Sequence, residues 1–159
     1  MCLYVRTTNK NHGLRFATRN IESFKIMMFP LISPIQKFLY GYNRLYSTPI
    51  RMSFETQDDF ETCDEMEHRI RCVISEYNMI AMHRKYINEN NTLRMIISGF
   101  HSYADITDAE SDMIYKKNTY HNIVRCIIPK HSWYYVGDYK GYTSYVSDHI
   151  IIDRTVLEH

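Results

Sequence analysis

The sequence predicts an α+β fold: one compact domain over residues 1–159, with a mixed or antiparallel sheet and two or three helices. Three observations carry this reading. Between Asp58 and Tyr77, apolar residues recur at helical spacing: Phe60, Cys63, Met66, Ile70, Val73, Ile74 and Tyr77. Glu61, Asp64, Glu65 and Arg69 take the other side. A shorter helix is expected from Thr107 or Asp108 to about Lys117, with Ala109, Met113 and Ile114 as its apolar stripe. His121–Ile128 is rich in β-branched residues and almost continuously apolar, as a central strand buried on both faces would be.

Other elements follow in order. Leu3–Val5 suits a short strand and 7–13 a polar loop. Ile21–Phe29 alternates so that Phe24, Ile26 and Met28 share an apolar side. Pro30 and Ser33-Pro34 end it. Tyr40-Gly41-Tyr42-Asn43 reads as a turn before Leu45-Tyr46. Asp58-Asp59 suits the N-terminus of the first long helix. Val73-Ile74 within that helix also suits a strand, because β-branched side chains favour extended backbone. From Thr92 onward, Leu93–Ile97 is a strand, Ser98-Gly99 permits a tight backbone feature, and Phe100–Tyr103 continues extended. Trp133–Val136, Ser144–Val146 and His149–Ile152 are strands, with Gly137–Tyr142 as a turn. The chain thus divides into an N-terminal strand and loop portion (1–57), a helix and linker (58–91) and a motif-bearing β-rich portion (92–159).

Composition narrows the function classes. Lys and Arg number 19 against 18 Asp and Glu, so a net charge of +1 provides no field for holding a polyanion. No basic run exceeds two residues, and nucleic acid is not an expected partner. The longest apolar run, 26–32, contains Pro30 and falls short of the roughly 20 residues of a membrane helix. Cys2, Cys63, Cys72 and Cys126 form no C-x-x-C pair and follow no leader-like segment, which implies reduced thiols and a cytoplasmic setting. No glycine-rich phosphate loop or nucleophile elbow is present, and no His spacing with a carboxylate suggests a metal.

Two strings carry the candidate site. In Gly99-Phe100-His101-Ser102-Tyr103, Gly allows close backbone approach and a strand-end His can exchange protons near neutral pH. The bland alternative is a hydrogen-bonded structural His. In Ser144-Tyr145-Val146-Ser147-Asp148, hydroxyls and a carboxylate could bind a sugar or polarise water. They could equally cap a strand junction through their own backbone. The ligand-binding candidates are therefore His101, Ser102, Tyr103, Tyr145, Ser147 and Asp148.

The strings "GFHSYADITDAE" and "IVRCIIPKHSWYYVGDYKGYTSYVSDHIII" resemble a family of small uncharacterised proteins of phages, large DNA viruses and gut bacteria. The shared pattern is G-F-H-S, I-P-K, Tyr-Tyr and S-Y-x-S-D, and His131 stands where that pattern has Gly. The order of these elements is also distantly similar to ADP-ribosyltransferase-like domains. The first resemblance implies a viral or phage accessory protein, non-catalytic, that binds a host or viral protein or a nucleotide-like ligand. The second implies NAD as cofactor, with His101 positioning the nicotinamide ribose, Tyr103 or Tyr145 stacking on the ring and Asp148 stabilising the developing cation. The sequence lacks the E-x-E or Q-x-E that such transferases carry before the last strand. A third reading is a virion assembly component with the Tyr-rich hairpin as interface.

Overall fold

A computed structural model describes residues 3–6, 9–28, 31–33, 38–56, 72–74, 92–115 and 121–158. They form β1 (Leu3–Arg6), β2 (Gly13–Phe16), β3 (Ile21–Met28), β4 (Leu45–Ser47), β5 (Ile50–Thr56), β6 (Cys72–Ile74), β7 (Thr92–Ser98), β8 (Phe100–Tyr103), α1 (Ile106–Tyr115), β9 (His121–Ile128), β10 (Trp133–Tyr139), β11 (Tyr142–Ser147) and β12 (His149–Glu158). All twelve strands belong to one sheet, in the order β4-β12-β9-β3-β8-β11-β10-β1-β7-β5-β6, with β2 also on β10. Every strand pair is antiparallel.

This corrects the α+β expectation, and with it the ADP-ribosyltransferase-like architecture: the described residues form a large antiparallel sheet with one short helix. The physical reason is pairing. β2 and β5 are short or polar segments whose backbone groups find ladder partners that no local pattern announces, and β6 is announced only by Val73-Ile74. Cys72–Ile74 is a strand and not the end of a helix, so β-branched stiffness prevails there over helical spacing. The rest of the expected Asp58–Tyr77 helix lies outside the described residues. Gly137 is in mid-strand, not in a turn: the strands run on to a two-residue Lys140-Gly141 hairpin loop in which both residues have positive φ. An added Cβ on Gly137 would meet the Tyr4 carbonyl oxygen at 2.5 Å, so its role is the close approach of β1 to β10.

β7 and β8 are one strand interrupted at Gly99, where φ is +135°. β7 pairs with β1, β1 with β10, β10 with β11, and β11 with β8. The hydrogen-bonding circuit therefore closes on itself at Gly99. Leu3, Val5, Ile50, Ile96, Tyr135 and Val146 pack together within these strands and β5. The other arm, β8-β3-β9-β12-β4, buries both faces. Phe24, Ile26, Tyr103 and Ile123 lie under α1 with Ala109 and Met113, while Met27, Phe100, Val124, Cys126, Ile150 and Ile152 pack on the reverse with Leu31 and Tyr40. Double-sided burial explains the continuous apolar run of β9, which is central as expected, between β3 and β12.

α1 begins one or two residues before the expected start. Asp105 caps it, accepting from the Thr107 amide at 3.0 Å and the Thr107 hydroxyl at 2.9 Å. Ala109 and Met113 are buried, but Ile114 points outward at 71% exposure. His131, where the resembling pattern has Gly, adopts φ of +73°, the left-handed conformation that Gly would supply without cost. Its amide donates to the Ala17 carbonyl at 2.7 Å, and its ring lies 5.9 Å from that of Phe16, contacts that hold this turn.

Candidate functional site

β8 and β11 bring five of the six candidate residues onto neighbouring strands, with Asp148 at the junction just beyond β11, but the pleat divides them. The register pairs Ser102 with Tyr145 and His101 with Val146. Side chains alternate along each strand, so Ser102, Tyr145 and Ser147 share one face while His101 and Tyr103 take the other. The six form no single ligand surface, and a donor set split across a sheet does not fit the nicotinamide and ribose of NAD.

Tyr103, Ser147 and Asp148 use their polar groups within the fold, whereas the Ser102 hydroxyl and His101 Nε2 are buried with no hydrogen-bond partner among the described residues. His101 is 7% exposed. Burial, reinforced by Lys25, pushes its imidazole down to about 3, although the backbone of Ile96 and Gly99 hydrogen-bonds the ring. The ring is therefore held in its neutral form at pH 7. The Tyr103 hydroxyl donates to Asp112, itself 2% exposed. The Lys140 ammonium lies 3.6 Å from the other Asp112 oxygen. Burial, together with Asp112, drives the Tyr103 phenol far above its usual range. Tyr103→Phe is expected to destabilise the fold by about 1–3 kcal/mol, because it withdraws a donor from a buried carboxylate. Urea unfolding at pH 7 measures this, and a loss under 0.5 kcal/mol, the scatter of an ordinary surface change, would contradict it.

The β11–β12 junction is a clamp. Asp148 accepts from the Trp133 amide at 3.0 Å and meets His149 Nδ1 at 2.7 Å. Its own amide donates to the Trp133 carbonyl and its carbonyl accepts from the Thr48 amide. The Ser147 hydroxyl donates to the His149 carbonyl at 2.9 Å. Tyr145 is half-buried, edge-on to Tyr134 at 5.6 Å, and both burial and Tyr134 raise its phenol. Capping of the junction, the bland alternative for Ser147 and Asp148, accounts for all of these contacts. His149, partnered by Asp148, escaped the sequence reading; its only signal was adjacency to an acid.

A second surface was also not anticipated. Among the described residues the large hydrophobics left exposed are Phe16, Phe38, Leu39, Tyr42, Leu45 and Ile114. Four of these fall between residues 38 and 45, beside β4 at the end of the strand order. Tyr40 is buried beneath them, with rings of Phe38 and Tyr46 at 4.8 and 5.0 Å. The Tyr46 hydroxyl accepts from the Gly41 amide at 2.6 Å. The Asn43 amide donates to the Ile152 carbonyl at 2.8 Å, and the Tyr42 hydroxyl bonds Thr155. The segment is thus pinned to β12 while Leu39 and Leu45 each stay 61% exposed.

No group of three His, Cys, Asp or Glu side chains suited to a metal lies among the described residues, and no helix there is long and apolar enough to cross a membrane. No family model, curated protein or solved structure matches the chain.

Proposed function

We propose that this chain is a non-catalytic, protein-binding module whose contact surface is the apolar segment 38–45. The observation that carries the reading is the gathering of Phe38, Leu39, Tyr42 and Leu45 at the surface on a segment fastened from beneath by Tyr40, Tyr46 and Asn43. Contiguous exposed apolar surface has a cost in water that a partner relieves. A segment already fixed loses little conformational freedom on binding, so more of the burial free energy goes into affinity. Aromatic residues such as Phe38 and Tyr42 are enriched at the centres of protein interfaces. The division of the six candidate residues between two faces favours this over a nucleotide-like ligand. With the resemblance to phage and large-DNA-virus proteins, the partner expected is a host or viral protein.

The test is affinity capture from cells expressing the chain, quantified by mass spectrometry, with wild type, L39D/L45D and the control I114D. The expected result is a protein enriched by wild type and by I114D but reduced at least about 30-fold with L39D/L45D, as for loss of about 2 kcal/mol at a hot spot. All three should unfold within about 0.5 kcal/mol of one another, since the substituted side chains are mostly exposed. Equal recovery by all three would exclude this surface.

A further inference from the structure

The seam between β3 and β8 holds a buried lysine surrounded by unused donors. The two strands pair at a single position, Phe24 with Tyr103. Lys25, 9% exposed, lies beside this pair and donates from Nζ to the His101 carbonyl. Continuing the antiparallel order by one residue places Ser102 across the seam from Lys25. Ser23 lies two residues back on the same face of β3, about 7 Å along the strand. Ser23 and Ser102 are 0% and 1% exposed, and neither hydroxyl has a hydrogen-bond partner among the described residues.

Polar groups here go unpaired. An ammonium has three N–H groups, and one is used on the His101 carbonyl. Two N–H groups and two hydroxyls remain. The groups that face Lys25 are the Cys126 thiol, paired across from Ser23, and the ring of Tyr40, whose centroid is 5.9 Å from Nζ. The thiol is protonated and donates to the Val124 carbonyl at 3.8 Å. The imidazole of His101 occupies the other face. Burial lowers the Lys25 amine from its ordinary value, the Cys126 thiol opposes this, and no carboxylate among the described residues acts on it. A buried cation without a counter-charge is costly, and buried hydroxyls without partners add to that cost.

We propose that Lys25, Ser23 and Ser102 form a binding site for a small oxyanion, a carboxylate or phosphate group that enters between β3 and β8, where the ladder is reduced to one pair. One oxygen would accept from Nζ and a second from the serine hydroxyls, which supplies at once the missing counter-charge and partners for the two unpaired hydroxyls. The binding is non-covalent and independent of the 38–45 surface.

Thermal unfolding at pH 7 tests this with sodium acetate in one arm and sodium phosphate in the other. Each is exchanged at constant ionic strength against a bulky organic sulfonate. Wild type should show a saturable rise in Tm in at least one arm, about 5–10 °C at about 100 times the Kd. K25M, which replaces the amine with an apolar chain of similar volume, should show none. S23A/S102A should need at least about tenfold more anion for the same rise, and it carries the test should K25M fail to fold. No saturable rise in wild type, or equal rises in wild type and the variants, overturns the proposal and leaves Lys25 as a clip on the seam.

Discussion

Acidification from pH 6.5 to pH 3 is expected to withdraw up to about 5 kcal/mol of stability through His101 alone. In the unfolded chain this imidazole titrates near 6.5, whereas burial and the neighbouring Lys25 bring it down to about 3 in the fold. Between those values the unfolded state carries a proton that the folded state lacks. Stability from this group is therefore complete above pH 6.5 and falls with pH by about 1.4 kcal/mol per unit until the folded imidazole itself titrates near pH 3. The loss is comparable to the whole stability of many domains. Urea unfolding at pH 7, 6, 5 and 4 measures it, with His101→Gln as reference. Gln retains an amide donor for the backbone but has no titration in this range. The wild-type curve should be steeper than that of the variant by about 1.4 kcal/mol per pH unit. Parallel curves would mean that His101 is far more accessible than its 7% exposure indicates, and would reopen its use as an acid–base group.

Gly99→Ala should cost about 3–5 kcal/mol, enough to threaten folding. Two effects combine. The residue sits at φ +135°, where an L side chain is strained by about 1–3 kcal/mol. An added Cβ would also lie 2.4 Å from Val146 Cγ1 and 3.3 Å from the Ser147 carbonyl oxygen, with Ile50 behind at 3.5 Å. Overpacking of that kind costs about another 1–3 kcal/mol. Gly141→Ala is the internal control. Its φ is +86°, but no atom lies within 4 Å of the new Cβ, so it carries backbone strain without collision. Equilibrium unfolding should rank Gly99→Ala well below Gly141→Ala, and Val146→Ala should recover part of the difference when combined with Gly99→Ala. Equal losses at the two glycines would show that the closure of the sheet circuit does not depend on the contact at residue 99.

The sequence made some of the site legible. It singled out Gly99 as a special backbone position and His101 to Tyr103 as extended, and the structure places both so. The structure brings the two polar strings together, since β8 and β11 are hydrogen-bonded neighbours. Neither that pairing nor the division of the strings by the pleat was legible in the sequence. Both depend on the register Ser102–Tyr145 between strands distant in the chain. Lys25 drew no notice within the apolar strand β3, because a lysine on a half-buried strand is expected to face water. Here both faces of β3 are covered, so the amine ends inside.

By itself, the sequence determined the strong local elements: a central β9 from its continuous β-branched run, α1 from its apolar spacing, the strands β3, β10 and β11 to within a few residues, and the first four residues of β12. Each of these follows from side-chain stiffness or periodicity, which are properties of neighbours in the chain. Only the tertiary structure decided that the fold is one antiparallel sheet closing on itself at Gly99, with β2, β5 and β6 recruited to its ladders and with segment 38–45 left as an apolar face. Those outcomes depend on which distant backbone groups find partners, and short polar strands leave that choice to the whole sheet.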